Sequence, residues 1–265
     1  MPAAGSEDHL EELEMQQRMR SRSWSALCVV GLLMAGCAAP ETEAPADAGS
    51  PDVETVAAAP QVWEKDGLRV TPLTDSPRFA GGALAIAGVD GALPSGAVAF
   101  DFQVEGYELG VQTADAGANG LANSAKGQHI HLILDNGPYS AHYEPTFERE
   151  IEDGHHVMLA FLSRSYHESV KEPTAYVLGQ FTVGESAAEP IDLEAAHLFY
   201  SRPKGVYKGA DTERLMLDFF LANTTLSPDG NRVRATLNGT EFVFTEWVPY
   251  VVEGLPMGEI EIGLE

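Results

Sequence analysis

Two histidines, His129 and His131, stand in the run His129-Ile-His-Leu-Ile-Leu134. Residues two apart on a strand point to one side, so both imidazoles share a face while Ile130, Leu132 and Leu134 take the other. Paired imidazoles in that relation are sound ligands for zinc or copper. His142, just past the next turn, is a candidate third ligand, and His155, or His156 beside it, a candidate fourth. Against the metal reading, a His-x-His pair on an open sheet face is more often simply solvated. The primary expectation is therefore no cofactor, with copper or zinc as the alternative.

A second concentration of reactive side chains is Ser163-Arg-Ser-Tyr-His-Glu-Ser169 with Lys171, joined by Ser201-Arg-Pro-Lys204, Tyr207 and Lys208. Arg164, Tyr166, His167, Arg202 and Lys204 together suit an anion, because a guanidinium donates bidentately to phosphate or carboxylate. The competing reading, that these are turn and inter-module residues paired with carboxylates, is the stronger. Ser165, His167 and Glu168 invite a hydrolase reading, but no nucleophile elbow or oxyanion-hole signal accompanies them. No phosphate-binding glycine motif is present, and Asp115, Asn119 and Asn123 do not space as a calcium loop. The sequence predicts no enzyme.

The elements that would position these groups are strands. Val98, Phe100, Phe102 and Val104 alternate with Ala99, Asp101 and Gln103, the period of a half-buried strand. Further strands are expected near 68–73, 83–87, 107–111, 128–134, 156–162 and 175–183, with turns at Asp135-Asn-Gly-Pro138, Asp153-Gly154 and Asn238-Gly239. The pattern recurs: Val98-Ala-Phe-Asp-Phe102 aligns with Leu215-Met-Leu-Asp-Phe219, and His129-Ile-His131 with Arg232-Val-Arg234. Arginine does not ligate metal, so the repeat argues for a shared polar face at those positions. The fold class expected is all-β, two tandem immunoglobulin-like antiparallel β-sandwich modules after a disordered tether. The first module spans 63–186 and the second 190–265, the latter lacking its last strand or closing differently. The first copy alone carries an insertion, Val111 to Gly127.

Upstream of the folded part, Arg18, Arg20 and Arg22 precede an apolar run from Trp24 to Gly36 that is short for a membrane span. Leu33-Met-Ala-Gly-Cys37 reads as a lipobox with Cys37 the acylated residue. Residues 1–36 are thus an export signal, whose translation start is expected at Met15 or Met19 because the stretch from Glu7 to Glu14 is acidic. Residues 37–62, rich in Ala, Pro and acidic groups, are a lipidated N-terminus and tether. The partners implied are a lipid bilayer through acylated Cys37 and an envelope ligand or protein that the sequence does not identify. Placement is expected at the outer membrane, since Ala38 replaces the aspartate that often retains a lipoprotein at the inner one.

With 16 Lys and Arg against 40 Asp and Glu, the formal charge is −24. A field of that sign repels nucleic acid, which excludes that partner. Of the two cysteines, Cys28 lies inside the apolar run, Cys37 ends it, and none follows, so packing and sheet hydrogen bonds must hold the fold.

The run Lys126-Gly-Gln-His-Ile-His-Leu-Ile-Leu-Asp-Asn-Gly-Pro-Tyr139, with Ala160-Phe-Leu-Ser-Arg-Ser-Tyr-His-Glu-Ser-Val-Lys171 and Leu198-Phe-Tyr-Ser-Arg-Pro-Lys-Gly205, resembles a group of cell-envelope lipoproteins from Bacteroidota and related marine or halophilic bacteria. The resemblance spans residues 63 to 265 and implies an anchored envelope protein without naming its chemistry. Some members are described as phosphopeptide-binding, and members continue past the point where this chain stops. The function expected is a membrane-anchored, non-enzymatic binding or structural module of the envelope, with a copper or zinc binding protein as the alternative.

Overall fold

Strand-forming alternation carries through nearly the whole of residues 61–265, the part of the chain that the computed structural model describes. The export segment, Cys37 and most of the tether lie outside the described residues. Sixteen strands and one short 3-10 turn, Gly209–Thr212, make up the fold. In chain order the strands are β1 (Trp63–Lys65), β2 (Leu68–Pro72), β3 (Ala83–Ile86), β4 (Gly91–Leu93), β5 (Gly96–Glu105), β6 (His129–Leu134), β7 (Ser140–His142), β8 (Thr146–Ile151), β9 (Gly154–Ser163) and β10 (Tyr176–Val183). There follow β11 (His197–Arg202), β12 (Arg214–Ala222), β13 (Val233–Leu237), β14 (Thr240–Phe244), β15 (Tyr250–Glu253) and β16 (Ile262–Leu264).

They form two β-sandwiches of the immunoglobulin-like class. In the first, the sheet β3-β5-β8 faces the sheet β4-β10-β9-β6-β7. The core between them holds Phe100 and Phe102 of β5, Ile130 and Leu132 of β6, Met158 and Leu162 of β9, and Phe181 of β10. In the second, β1-β2-β15-β12-β11 faces β14-β13-β16 across Val70, Leu217, Phe219, Val233, Ala235, Phe244 and Tyr250. Each strand gives alternate residues to its core, as its sequence period requires.

The internal repeat is present as shared topology. The first part of β5, residues 96–101, pairs with β8 and the second part, 102–105, with β3. Its counterpart β12 divides the same way, 214–217 to β15 and 218–222 to β11. β6 and β13 each pair with the hairpin strand that follows, through turns at Asp135-Asn136 (φ 53° and 54°) and Asn238-Gly239 (φ 46° and 84°). Two consecutive positive φ values match the twist of the two-residue β13–β14 hairpin, and an Asp-Asn turn of the same kind opens the longer β6–β7 connection.

The structure departs from the sequence reading in two places. β1 and β2 belong to the second sandwich, where β2 pairs antiparallel with β15 from Tyr250↔Pro72 to Glu253↔Arg69. Residues 63–72 therefore do not begin the first module. Their alternating residues Leu68 and Val70 fit either sheet, and only the free side of β15 decides which one they extend. Residues 107–111 form no strand; Gly106 and Gly110 at φ 60° and 77° turn the chain there, into the insertion.

The modules also pack on each other. The outer face of the β6-β9 sheet offers Ile133, Leu159 and Phe161, and the β11-β12 edge offers Phe199 and Phe220. Phe161 and Phe220 stack with ring centroids 5.0 Å apart. A sheet with one face in its own core and the other against a second module reads as a nearly continuous apolar run, and Met158 to Leu162 is one.

Candidate metal centre

The strand parity expected at β6 holds: Ile130 and Leu132 enter the core, and His129 and His131 point the other way. That other way is not solvent. Both histidines are fully buried, under Tyr139, Tyr143 and the His167 ring and next to the Phe161–Phe220 contact. The solvated-face reading fails here. In the second copy it holds: Arg234, aligned with His131, is exposed and paired with Glu265 at 2.7 Å.

The third residue of the cluster is His167. β9 runs antiparallel to β6, with Ser163 opposite His129, so the chain leaving β9 turns just beyond the histidine end of β6. The turn closes through Arg164 N–H to the Glu168 carbonyl and His167 N–H to the Arg164 carbonyl, at 2.9 and 2.8 Å. His167 sits at φ 67°, a left-handed conformation that histidine tolerates better than most residues, and this folds its ring back over the sheet. His129 Nε2 lies 2.9 Å from His131 Nε2 and 3.1 Å from His167 Nδ1, and the third edge is 3.4 Å.

Those edges suit a metal. Bonds of about 2.0–2.1 Å from one ion to two imidazoles separate the nitrogens by roughly 2.8–3.0 Å at a right angle and roughly 3.3–3.4 Å at the tetrahedral angle. The His129 tautomer suits it too. The His129 Nδ1–H donates to the Gly127 carbonyl at 2.8 Å, which leaves its Nε2 lone pair facing the other two rings. A carbonyl in that outer position orients a ligating imidazole. His131 is held by stacking on Tyr139, centroids 3.7 Å apart.

Burial keeps all three rings neutral, the state that binds metal. Desolvation, partly opposed by the Gly127 hydrogen bond and aided by Arg202, lowers His129 to about 4. Desolvation with Arg202, His129 and Lys204 lowers His167 to about 2. His131 is driven down by desolvation and then by its two histidine neighbours.

The other expected ligands do not join. His142 pairs with Ile130 in the β6–β7 ladder, and directly opposed residues share a face, so it sits on the opposite side of the sheet from His129 and His131. There it hydrogen-bonds Ser140 and stacks on Phe147. His155 is the second residue of β9, whose far end is Ser163, which separates His155 from the cluster by roughly 25 Å of extended chain. It bonds Gln180 and Thr182. His156, next to it, pairs with Asp135 at 2.7 Å.

The residues expected to bind an anion divide in two. Arg164 and Tyr166 are structural: Arg164 pairs with the equally buried Glu168 at 3.0 Å, and the Tyr166 hydroxyl donates to Asp115 at 3.1 Å. Arg202 and Lys204 come from the second module and meet the residues that hold the cluster. Arg202 donates to the Tyr166 carbonyl at 3.3 Å and to the Tyr207 hydroxyl. The Lys204 ammonium donates to the Tyr139 carbonyl at 2.6 Å and lies 4.5 Å from the centre of that ring.

The insertion 111–127 braces the His167 turn. Ser124 N–H donates to the Ser165 carbonyl at 2.8 Å, and Ser165 N–H donates to the Thr113 hydroxyl at 2.9 Å. Leu121 packs with Tyr166, Met216 and Val251. Gly127, at the end of the insertion, delivers the carbonyl that orients His129.

No protein-family model matches the chain, and no curated protein sequence matches it. Among solved structures, the fibronectin(III)-like modules of Clostridium thermocellum CbhA are similar at 14% identity, covering 68% of this chain and 83% of that one with a TM-score of 0.24.

Proposed function

We propose that this protein is a transition-metal-binding lipoprotein of the bacterial envelope, which holds zinc or copper through His129, His131 and His167. The observation that carries the reading is the convergence of three buried ring nitrogens within 3.4 Å of one another. Burying three imidazoles with so few other partners is costly unless something uses their lone pairs, and a metal ion uses all three. The role is binding and not catalysis: Ser165 spends its polar groups on Thr113, and Glu168 is bound to Arg164 and Ser76.

Anchoring rests on the sequence of the export segment. Acylation at Cys37 would hang the sandwiches from a membrane on the tether, and lipid chains contribute roughly 0.8 kcal/mol per buried CH₂. Labelled fatty acid incorporated by the wild type and not by Cys37→Ser is the expected result, and equal labelling of both would refute the anchor.

The metal reading is tested by titrating the purified, chelator-stripped protein with Zn²⁺ and, under reducing conditions, Cu⁺. One ion per chain should bind. His167→Ala and His131→Ala should lower affinity at least a hundredfold, while His142→Ala and His155→Ala stay within threefold of wild type. Absence of uptake by a folded wild-type protein, shown by its circular dichroism, would end the proposal.

A further inference from the structure

Three histidine nitrogens in this arrangement form a tripod and not a closed cage. An ion about 2.0–2.1 Å from each of them stands roughly 1 Å out of their common plane, with a further position on its far side. What completes that position follows from the charges around it. Three neutral imidazoles leave a dication's charge whole, and the other side chains bearing on the rings add to it. Those cationic side chains are Arg202 and Lys204, which contact the residues next to the ligands.

Contact geometry places both cations one residue away from a ligand. Arg202 grips the carbonyl of Tyr166, the chain neighbour of His167, and Lys204 caps the ring of Tyr139, which stacks on His131. The Arg202 Nε is buried without a hydrogen-bond partner, a condition that costs free energy unless an acceptor reaches it. A dication flanked by a guanidinium and an ammonium in a desolvated interface calls for an anion.

Building on the metal reading above, we propose that the His129/His131/His167 ion binds a small oxyanion, phosphate or a carboxylate, as its outer ligand, with Arg202 and Lys204 supplying the countercharge. Metal and anion then bind as a pair, each raising the affinity of the other by the same factor. The two cations come from the second module and the three ligands from the first, so the pair forms where the modules meet.

The test uses the full chain in detergent, stripped of metal and loaded with Co²⁺ in a buffer free of oxyanions. Inorganic phosphate or acetate should change the visible d–d spectrum of the bound Co²⁺, tighten Co²⁺ binding at least tenfold, and itself bind at least tenfold more weakly without Co²⁺. Lys204→Met and Arg202→Gln should reduce that coupling below threefold, the coupling being the ratio of Co²⁺ affinities with and without oxyanion measured in the same variant. Lys204→Met is the decisive variant if Arg202→Gln melts early. A spectrum indifferent to both oxyanions overturns the proposal, as does chloride acting as strongly as phosphate. So does a Tyr139→Phe change in the Co²⁺ spectrum with no oxyanion effect in the wild type, since the phenol would then be the outer ligand. Failure of Co²⁺ to bind at all overturns the metal reading along with it.

Discussion

The Lys171 ammonium of the first module lies 2.5 Å from the Asp218 carboxylate of the second, and Asp218 is wholly buried. Asp218 also accepts the Ser169 N–H at 2.9 Å, so one carboxylate ties the second module to the turn that carries His167. In the first copy the same repeat position is Asp101, which is exposed and accepts only the Thr146 hydroxyl, at 3.2 Å. The same residue stands at both repeat positions, and the interface makes one of them structural.

Removing that carboxylate leaves a mostly buried ammonium with the Ser169 hydroxyl and the Trp247 ring but no countercharge, and a buried N–H without its acceptor. Breaking one side of a buried pair typically costs about 3–5 kcal/mol. Asp218→Ala should therefore lower the unfolding free energy by about that amount in chemical denaturation, whereas Asp101→Ala should stay within about 0.5 kcal/mol of wild type. Equal, small effects at both positions would show that the tie does not hold the modules.

How much of this was legible in the sequence differs by level. The alternation at β5 and β6, the hairpin turns at Asp135 and Asn238, and the match of Val98–Phe102 to Leu215–Phe219 were readable because each is local: a period, a turn residue, a repeat. That β1 and β2 extend β15 was not, since a short alternating strand carries no label for its partner. The ligand set shows the same division. His129 and His131 share a face by parity alone, but their burial depends on Tyr139, Tyr143 and the His167 turn folding over that face. His142 was misassigned by one residue of register, because pairing with Ile130 instead of His131 puts its ring on the wrong side. His167 was noticed as part of a polar run, and only the antiparallel register of β6 with β9 brings it to the pair.

Metal should stabilise the fold as well as occupy it. An ion that binds only the folded state adds about 2.7 kcal/mol at a free concentration of 100 times its dissociation constant. The melting temperature of the wild type should rise with added Zn²⁺ and fall back with chelator. His167→Ala should melt at one temperature with or without the ion.

Gly127 is a positioning residue with a steric reason to be glycine. Its φ is 87°, and a Cβ there would meet the Val111 carbonyl oxygen at 2.5 Å. The backbone cannot relax away freely, because the Gln128 N–H donates to that same carbonyl at 2.7 Å. Gly127→Ala should cost at least about 1–2 kcal/mol from the left-handed conformation alone. It should also shift the carbonyl that holds the His129 tautomer and weaken metal binding by about tenfold or more, a typical loss when an outer-shell partner goes. Gly239→Ala is the control for strain without the site: Gly239, in the β13–β14 turn, also has positive φ, at 84°, but nothing would crowd its Cβ. It should lose stability without losing metal affinity.

The pH dependence of the metal-free protein follows from four rings kept neutral by burial, the three of the cluster and His142, which is lowered to about 4. An unfolded histidine titrates near 6.5, whereas in the fold His129 does so at about 4 and His167 at about 2, with His131 also lowered. Between those values the unfolded chain holds more protons, so stability is full above pH about 6.5 and falls as the pH is lowered toward 4. Each such histidine contributes a slope of up to about 1.4 kcal/mol per pH unit in that window. Urea midpoints measured from pH 7.5 to 4.5 should fall accordingly, and His167→Gln should flatten the curve by about one proton's worth. Added Zn²⁺ should steepen the loss, because protonation then also competes with the ion for the same lone pairs. A stability that stays level across this range would mean that the cluster accepts a proton while folded, and the rings would then be more open to water than their burial allows.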